Sequence, residues 1–381
     1  MKPLRILAWP AFNTREQNPY AYLLYSHMQA AEVDEFSIGR LLARRYDVWH
    51  IHWPEMFLNV EKTPAAAGLK TQAALSLIDF ARRRGTKIVW TVHNLASHEH
   101  RYPQIEKWFW RAFLRRLDGF ITLSESGLLS ARERFPELRT LPGTVVPHGH
   151  YRGEYPDDRR EDCREQLGIP ANAKVVLFFG WIREYKNVPG LIAAFRGLND
   201  SDAALCIAGR EFSKSGGTTR QTLTRQTSVR ELTAGDSRIH LHLRHVRNEE
   251  VQTFFGAADL VALPYREIQN SGTALLALSF NKPVLVPRKG AMAELQALVG
   301  TDWVRTYEGE LTTGELAGAL QWEQKANRSG NAPLDTLDWN SVAEQTLAAY
   351  RNVLFPSPAA EEKVADSNRE SRSASASALH S

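Results

Sequence analysis

An α/β fold built as two doubly wound parallel-sheet domains is what this sequence predicts. Three observations carry that reading. Strand-like and helix-like runs alternate through both halves of the chain, which is the grammar of strand, crossover helix and parallel strand. The alternation breaks once, in the charged, turn-prone stretch YRGEYPDDRREDCREQL (151–167). Finally, 381 residues exceed what one ordinary hydrophobic core takes up.

In the first half, LRILAW (4–9), DVWHIHW (47–53), KIVWTVH (87–93), GFITLS (119–124) and TVVPHG (144–149) read as strands. Between them, 34–45, 69–84, 104–117 and 125–135 repeat apolar residues every three or four positions and read as helices. After the charged break the same order resumes. Strands are expected at 174–180, 204–209, 239–244, 259–265 and 282–287, and helices at 188–197, 219–233, 249–257, 272–280 and 291–298. DWNSVAEQTLAAYRNVL opens with a capping aspartate and keeps a helical apolar repeat, so a terminal helix is expected over 339–353. The remaining tail is Ser-, Ala- and charge-rich and predicts disorder. The expected division is 1–150, 151–338, a final helix within 339–355, and a tail over 356–381.

Composition narrows the class. A hydrophobic fraction of 43% and a charged fraction of 24% are those of a soluble globular chain. No apolar run approaches the roughly 18 residues that cross a bilayer, and the N-terminal apolar stretch is too short for a signal peptide. Two cysteines, Cys163 and Cys206, leave no disulfide framework and suit a reducing, cytoplasmic compartment. A net charge of +4 and a pI near 9 suit an anionic partner: nucleic acid, membrane or phosphorylated substrate. No zinc-finger, RNP-like or helix-turn-helix pattern supports nucleic acid.

Open α/β sheets bind ligands beyond the carboxyl ends of their strands, and the chemistry-bearing residues cluster there. In FFGWIREYKNVPGLIAAF (178–195) a strand ends at Gly180, and Arg183 and Lys186 fall before the next helix, where a diphosphate would meet two cations and a helix N-terminus. In LPYREIQNSGTALLALSF (263–280), Ser271, Gly272 and Thr273 open a second helix; in the loop before it Arg266, Glu267 and Gln269 are placed for sugar or ribose hydroxyls, and Asn270 joins the donor-binding set. In the first half, HIHWPE and TVHNLASHEH set His52 and Glu55, then His93, Asn94, His98 and Glu99, after neighbouring strands. Such imidazoles and carboxylates suit a general base, His93, Glu99 or Glu55, and contacts to an acceptor from His52, Asn94 and His98. Neither segment has the HExxH spacing of a zinc helix, and the one D-x-D, Asp200-Ser201-Asp202, precedes a strand, at the wrong end for a metal-bridged diphosphate; no metal is expected. QIEKWFWRAFLRRL (104–117) carries an apolar stripe of Ile105, Trp108, Phe109, Ala112 and Phe113 beside Lys107, Arg111, Arg115 and Arg116. It suits either the headgroup layer of an anionic membrane or packing against the sheet with a basic outer face.

Taken in order, NPYAYLLY (18–25), YDVWHIHWPE (46–55), VHNLASHEHR (92–101), PHGHYR (147–152), FGWIREYKN (179–187), LPYREIQNSGTALLALSFNKPVL (263–285) and WVRTYEGEL (303–311) resemble the GT-B glycosyltransferases. Within these they resemble the xanthan-type β-mannosyltransferases of glycosyltransferase family 94. The resemblance implies a GT-B fold, two Rossmann-like domains facing across a cleft. It implies inverting transfer of mannose from GDP-mannose, as co-substrate, to a polyprenyl-diphosphate-linked oligosaccharide in exopolysaccharide assembly. It also implies peripheral attachment at the inner face of the cytoplasmic membrane. The donor would lie on the C-terminal domain, with Arg183 and Lys186 on its diphosphate and Ser271, Gly272 and Thr273 close by, and the acceptor on the N-terminal domain, to which the C-terminal helix would cross back. The broader retaining family carries two glutamates where this chain has Gln269 and Ala277, a departure that favours inversion. The alternatives are a retaining transferase using another nucleotide sugar and a non-catalytic nucleotide-sugar-binding scaffold.

Overall fold

The computed structural model describes residues 2–59, 63–95, 102–156, 158–211, 228–328 and 330–356. The chain divides into two compact units, one made of residues 1–149 and 337–381, the other of 150–336.

The first unit runs β1 (Leu4–Trp9), α1 (Tyr20–Ser26), β2 (Ala31–Glu35), α2 (Ile38–Ala43), β3 (Val48–Ile51), α3 (Met56–Asn59), α4 (Pro64–Arg83), β4 (Lys87–Val92), α5 (Pro103–Leu114), β5 (Gly119–Thr122), α6 (Glu125–Arg134) and β6 (Gly143–Val145). All six strands are parallel, in the order β2-β1-β3-β4-β5-β6. Strands covered on both faces must be apolar throughout, and β3, β4 and β5 are buried along nearly their whole length. Trp49, Ile51, Trp90 and Phe120 fill one face with Phe109 and Phe113 of α5.

Two expectations change here. Residues 31–35 form an edge strand, and the helix expected from residue 34 begins only at Ile38, after the Ser37 cap. Glu35 ends that strand because its carboxylate is committed elsewhere: it accepts the N–H groups of Ala11, Phe12 and Asn13. Hydrophobic periodicity cannot register such a contact. The α5 stripe faces inward. Phe109 and Phe113 are fully buried, and Trp110 packs against Trp90 and Phe135 at 5.3 and 5.4 Å. Each buried phenylalanine contributes roughly 2–3 kcal/mol, so the core claims most of the face considered for a membrane. Trp108 stays 42% exposed, beside the exposed Lys107, Arg111 and Arg115.

The second unit runs α7 (Arg160–Leu167), β7 (Lys174–Phe179), α8 (Val188–Arg196), β8 (Ala203–Ala208), α9 (Val229–Thr233), β9 (Ile239–His242), α10 (Val251–Ala257), β10 (Leu260–Ala262), α11 (Gly272–Ser279), β11 (Val284–Pro287), α12 (Met292–Val299), β12 (Val304–Tyr307) and α13 (Thr313–Lys325). Its sheet is also parallel, ordered β12-β11-β10-β7-β8-β9. The stretch taken for a linker holds α7, because Arg164 is buried. Its guanidinium donates to the carbonyls of Ala171 and Ala257 and pairs with Asp259. A charged residue that serves as a core pin looks like a solvated one in sequence. β12 and α13 were likewise not anticipated. Of the helix expected over 219–233, residues 219–227 lie outside the described residues.

The last helix, α14 (Trp339–Leu354), is capped by Asp338, whose carboxylate accepts from Asn340 and Ser341, and it belongs to the first unit. The tail beyond Pro356 lies outside the described residues.

Candidate active site

Each strand order reverses once, between β1 and β3 in the first unit and between β7 and β10 in the second. In doubly wound sheets the crevice at such a reversal, outside the strand carboxyl ends, is where ligands settle. The candidate residues collect at both reversals.

In the first unit, His50 and His52 are two apart at the end of β3, so their side chains leave on one face. Both are buried, at 0% and 1% exposure. His50 Nε2 lies 2.7 Å from Thr91 Oγ1 on neighbouring β4. Its Nδ1 lies 2.7 Å from Tyr25 Oη and 2.6 Å from Tyr350 Oη. Tyr25 Oη also lies 2.7 Å from His52 Nε2, and His52 Nδ1 lies 3.1 Å from His93 Nε2. His93 stacks on Trp53 at 4.4 Å and takes the edge of Tyr20 at 4.9 Å. Tyr20 in turn touches His148 and Trp339. Desolvation holds these imidazoles neutral: His50 falls to about 3, His148 to about 4, and His52 and His93 well below the ordinary value. Glu55 shifts the other way, pushed up to about 7 by burial and held back by a hydrogen bond from the Asn94 side chain.

Of the residues expected here, His52, His93, Asn94 and Glu55 are in place, while His98 and Glu99 lie outside the described residues. Sequence reading passed over Tyr20, Tyr25, His50, His148, Trp339 and Tyr350. Two of these had a signal: His50 shares the alternation of HIH, and His148 sits in PHGH. Tyr20 and Tyr25 lie in NPYAYLLY, one of the stretches that carry the resemblance, while Tyr350 comes from a distant helix and had none.

In the second unit, β7 ends at Phe179 and is followed by Gly180, whose φ is +112° and whose N–H donates to Ala208 O at 2.9 Å. The ends of β7 and β8 come so close that a Cβ on Gly209 (φ +149°) would lie 1.9 Å from Gly180 O. Only glycine fits there. The chain then makes a 3-10 turn over Glu184–Lys186, passes Asn187 at φ +50°, and enters α8 with Pro189 in its first turn. This returns Lys186 Nζ to the strand end. It sits 5.1 Å above the Tyr265 ring, and a Cβ on Gly180 would meet it at 3.2 Å and Thr273 Oγ1 at 3.8 Å. Burial lowers the Lys186 pKa, and Arg183 nearby lowers it further. Among the described residues no carboxylate pairs with Lys186.

The loop after β10 divides its residues between scaffold and site. Ser271 Oγ caps α11 by accepting Ala274 N–H at 3.2 Å, and Thr273 lies beside Gly180. Gln269 O accepts Ala291 N–H, while its buried Nε2 has no partner among the described residues. Asn270 is partly buried between them. Arg266 was expected on a donor hydroxyl, but its Nε lies 3.1 Å from Glu310, which also accepts from Asn187 Nδ2 at 2.8 Å. Glu310 drew no attention in the sequence because it sits in an exposed turn. Asp200 pairs with Lys174, at the start of β7, which puts the D-x-D at the amino ends of the sheet.

Comparisons with known proteins agree with this architecture. The family model described as Glycosyl transferases group 1 matches residues 159–299, the greater part of the second unit. The chain is 32% identical over 338 residues, 88% of its length and 89% of the relative's, to a GDP-mannose:glycolipid 4-beta-D-mannosyltransferase of Xanthomonas campestris pv. campestris. In fold it is similar to the sucrose-phosphate synthase of Thermosynechococcus elongatus, with a TM-score of 0.59 and 20% identity over 82% of this chain and 75% of that one. It is also similar to HepE of Anabaena in complex with UDP-glucose, with a TM-score of 0.57 and 16% identity over 96% and 100% of the two chains. With two parallel sheets of this order and that degree of identity along nearly its whole length, the chain is a hexosyltransferase and belongs to the GT-B glycosyltransferases, in the family of the Xanthomonas mannosyltransferase.

Proposed function

We propose that this enzyme transfers mannose from GDP-mannose, with inversion, to a polyprenyl-diphosphate-linked oligosaccharide in exopolysaccharide assembly. The observation that carries the reading is Lys186: a desolvated ammonium at a strand end, against Gly180 and Thr273, without a carboxylate partner among the described residues. A half-buried charge that is partly stripped of water calls for a counter-ion, and a diphosphate supplies one. The sugar and nucleotide follow the mannosyltransferase relative. Inversion is supported by Gln269 and Ala277, which stand where the broader retaining family carries glutamates.

The second unit holds the nucleotide sugar and the first holds the acceptor. The acceptor hydroxyl attacks C1, and the bond from C1 to the diphosphate oxygen breaks as the new glycosidic bond forms. Lys186 and Arg183 stabilise the charge that gathers on the departing diphosphate, and no metal is required. His93, neutral across the working range, takes the hydroxyl proton. Glu55 is the second candidate, since its carboxyl titrates at about 7. A rate that is flat from pH 6 to 8 selects His93, and one that follows an ionisation near 7 selects Glu55. The test of the whole reading is to incubate the protein with GDP-mannose and a lipid-linked oligosaccharide, follow GDP release, and read the anomeric coupling of the product by NMR. Release of UDP in preference to GDP, or an α product, overturns it.

We place the enzyme at the inner face of the cytoplasmic membrane, where such an acceptor resides. No helix among the described residues is long and apolar enough to cross a membrane. The support for attachment is the outer face of α5, where Trp108 stands among Lys107, Arg111 and Arg115. An interfacial aromatic with basic neighbours suits anionic headgroups.

A further inference from the structure

The five groups linked to His93 form a hydrogen-bond chain with a direction. Desolvation keeps His50, His52 and His93 neutral, so each ring carries one N–H and its two nitrogens are one donor and one acceptor. Choosing the proton position on one ring then sets the next. If His93 Nε2–H donates to His52 Nδ1, then His52 Nε2–H must donate to Tyr25 Oη. The hydroxyls of Tyr25 and Tyr350, which both reach His50 Nδ1, then supply the proton it accepts. His50 Nε2–H finally donates to Thr91 Oγ1. In this polarity every ring N–H is used and His93 Nδ1 keeps its lone pair. In the reverse polarity His93 carries its proton on Nδ1, and its only lone pair is spent on His52.

We infer that His52, Tyr25 and Tyr350 are positioning residues that hold His93 in the Nε2–H tautomer, leaving Nδ1 as the atom that takes the acceptor's proton. The inference rests on the reading of His93 as the base. When the acceptor O–H bond breaks, its proton goes to Nδ1 and its electron pair to C1. The resulting imidazolium keeps its Nε2–H on His52 until the proton leaves to solvent. Tyr25 is the sensitive link. Without its oxygen, His52 Nε2–H faces a buried site with no acceptor, a cost His52 avoids by moving its proton to Nδ1. That change pushes the His93 proton to Nδ1 and closes the lone pair.

The experiment is 15N NMR of the full chain labelled at histidine, with His93 assigned by its loss in His93→Gln. Wild type is expected to show Nε2–H at His93, and Tyr25→Phe is expected to show Nδ1–H. A wild-type Nδ1–H signal overturns the inference whatever the activity. In parallel, GDP release by Tyr25→Phe and His52→Leu should fall on the order of 10²-fold in kcat, with KM for GDP-mannose unchanged. His52→Asn, whose amide oxygen can stand where Nδ1 stood, should recover part of that loss. Variants that fold less stably but keep kcat and the His93 tautomer would show a purely structural role and sink the proposal. A correct tautomer with full turnover in His93→Gln would instead remove His93 as base and leave the chain's polarity established.

Discussion

Tyr350 Oη lies 2.6 Å from His50 Nδ1, although 300 positions of sequence separate them. Through this contact the last helix becomes part of the first unit's site. Trp339 at the start of the same helix covers Gly149, where a Cβ would come within 2.5 Å of the indole. Trp339, Val342, Leu347 and Tyr350 are buried. A chain ending at Thr336 would expose that apolar face and leave His50 one partner short. It is expected to lose cooperative melting of the first unit, as read by calorimetry.

Removing the Lys186 charge should separate stability from function. Lys186→Ala deletes a desolvated cation that no carboxylate among the described residues offsets. The ligand-free Tm should therefore hold or rise. The rate should fall on the order of 10²-fold or more, and the thermal shift produced by GDP should shrink. A chelator added to the wild-type assay should leave the rate unchanged.

Four desolvated imidazoles, His50 and His52 buried and His93 and His148 half-buried, give the first unit an acid-labile profile. His50 titrates at about 3 and His148 at about 4 in the folded state, with His52 and His93 also well below 6.5. The unfolded chain takes up these protons as the pH falls through about 6.5, while the folded chain does not. Stability is therefore full above that value and drains away as the pH drops toward the folded values. Glu55, raised to about 7, acts oppositely: the folded state keeps its proton longer, and stability declines between about 4.5 and 7. With four groups against one, Tm should drop from pH 6.5 to 4, and His148→Gln should flatten that slope.

Gly209 joins two sheet ends. Gly209→Ala combines a φ of +149° with a Cβ placed 1.9 Å from Gly180 O. Backbone strain alone costs about 1–3 kcal/mol, and relieving the clash must move the strand end that carries Gly180. Tm should fall by several degrees and nucleotide-sugar binding should weaken with it, both readable by calorimetry.

The outer face of α5 should govern vesicle binding without affecting the fold. Trp108→Ser with Arg111→Ser removes an exposed aromatic and one charge, each exposed charge being worth about 1 kcal/mol near an anionic surface. Cosedimentation with vesicles rich in anionic lipid should drop about tenfold or more, with Tm unchanged. Equal binding by this variant would remove the helix from the membrane reading.

Local pattern made much of this protein legible. The strands reaching Trp9, Val92 and Phe179 are apolar because both their faces are covered. The helices between them repeat at helical spacing, and Asp338 and Ser271 announce the helices they cap. The placement of the candidates His52, His93 and Lys186 near strand ends was legible for the same reason: parallel strands deliver their carboxyl ends to one edge.

Contacts between distant segments were not legible. Arg164 reads as solvated charge yet pins Asp259, and Glu35 reads as helical yet cradles three backbone N–H groups. Arg266 meets Glu310, a partner 44 positions away. Hydrophobic period and capping are properties of neighbours along the chain, and the sequence by itself determined the elements, their order and the residues at the strand ends. Which donor meets which acceptor depends on where folding brings remote side chains. That is why only the tertiary structure decided that Tyr25 and Tyr350 close on His50, and with them the direction of the histidine chain.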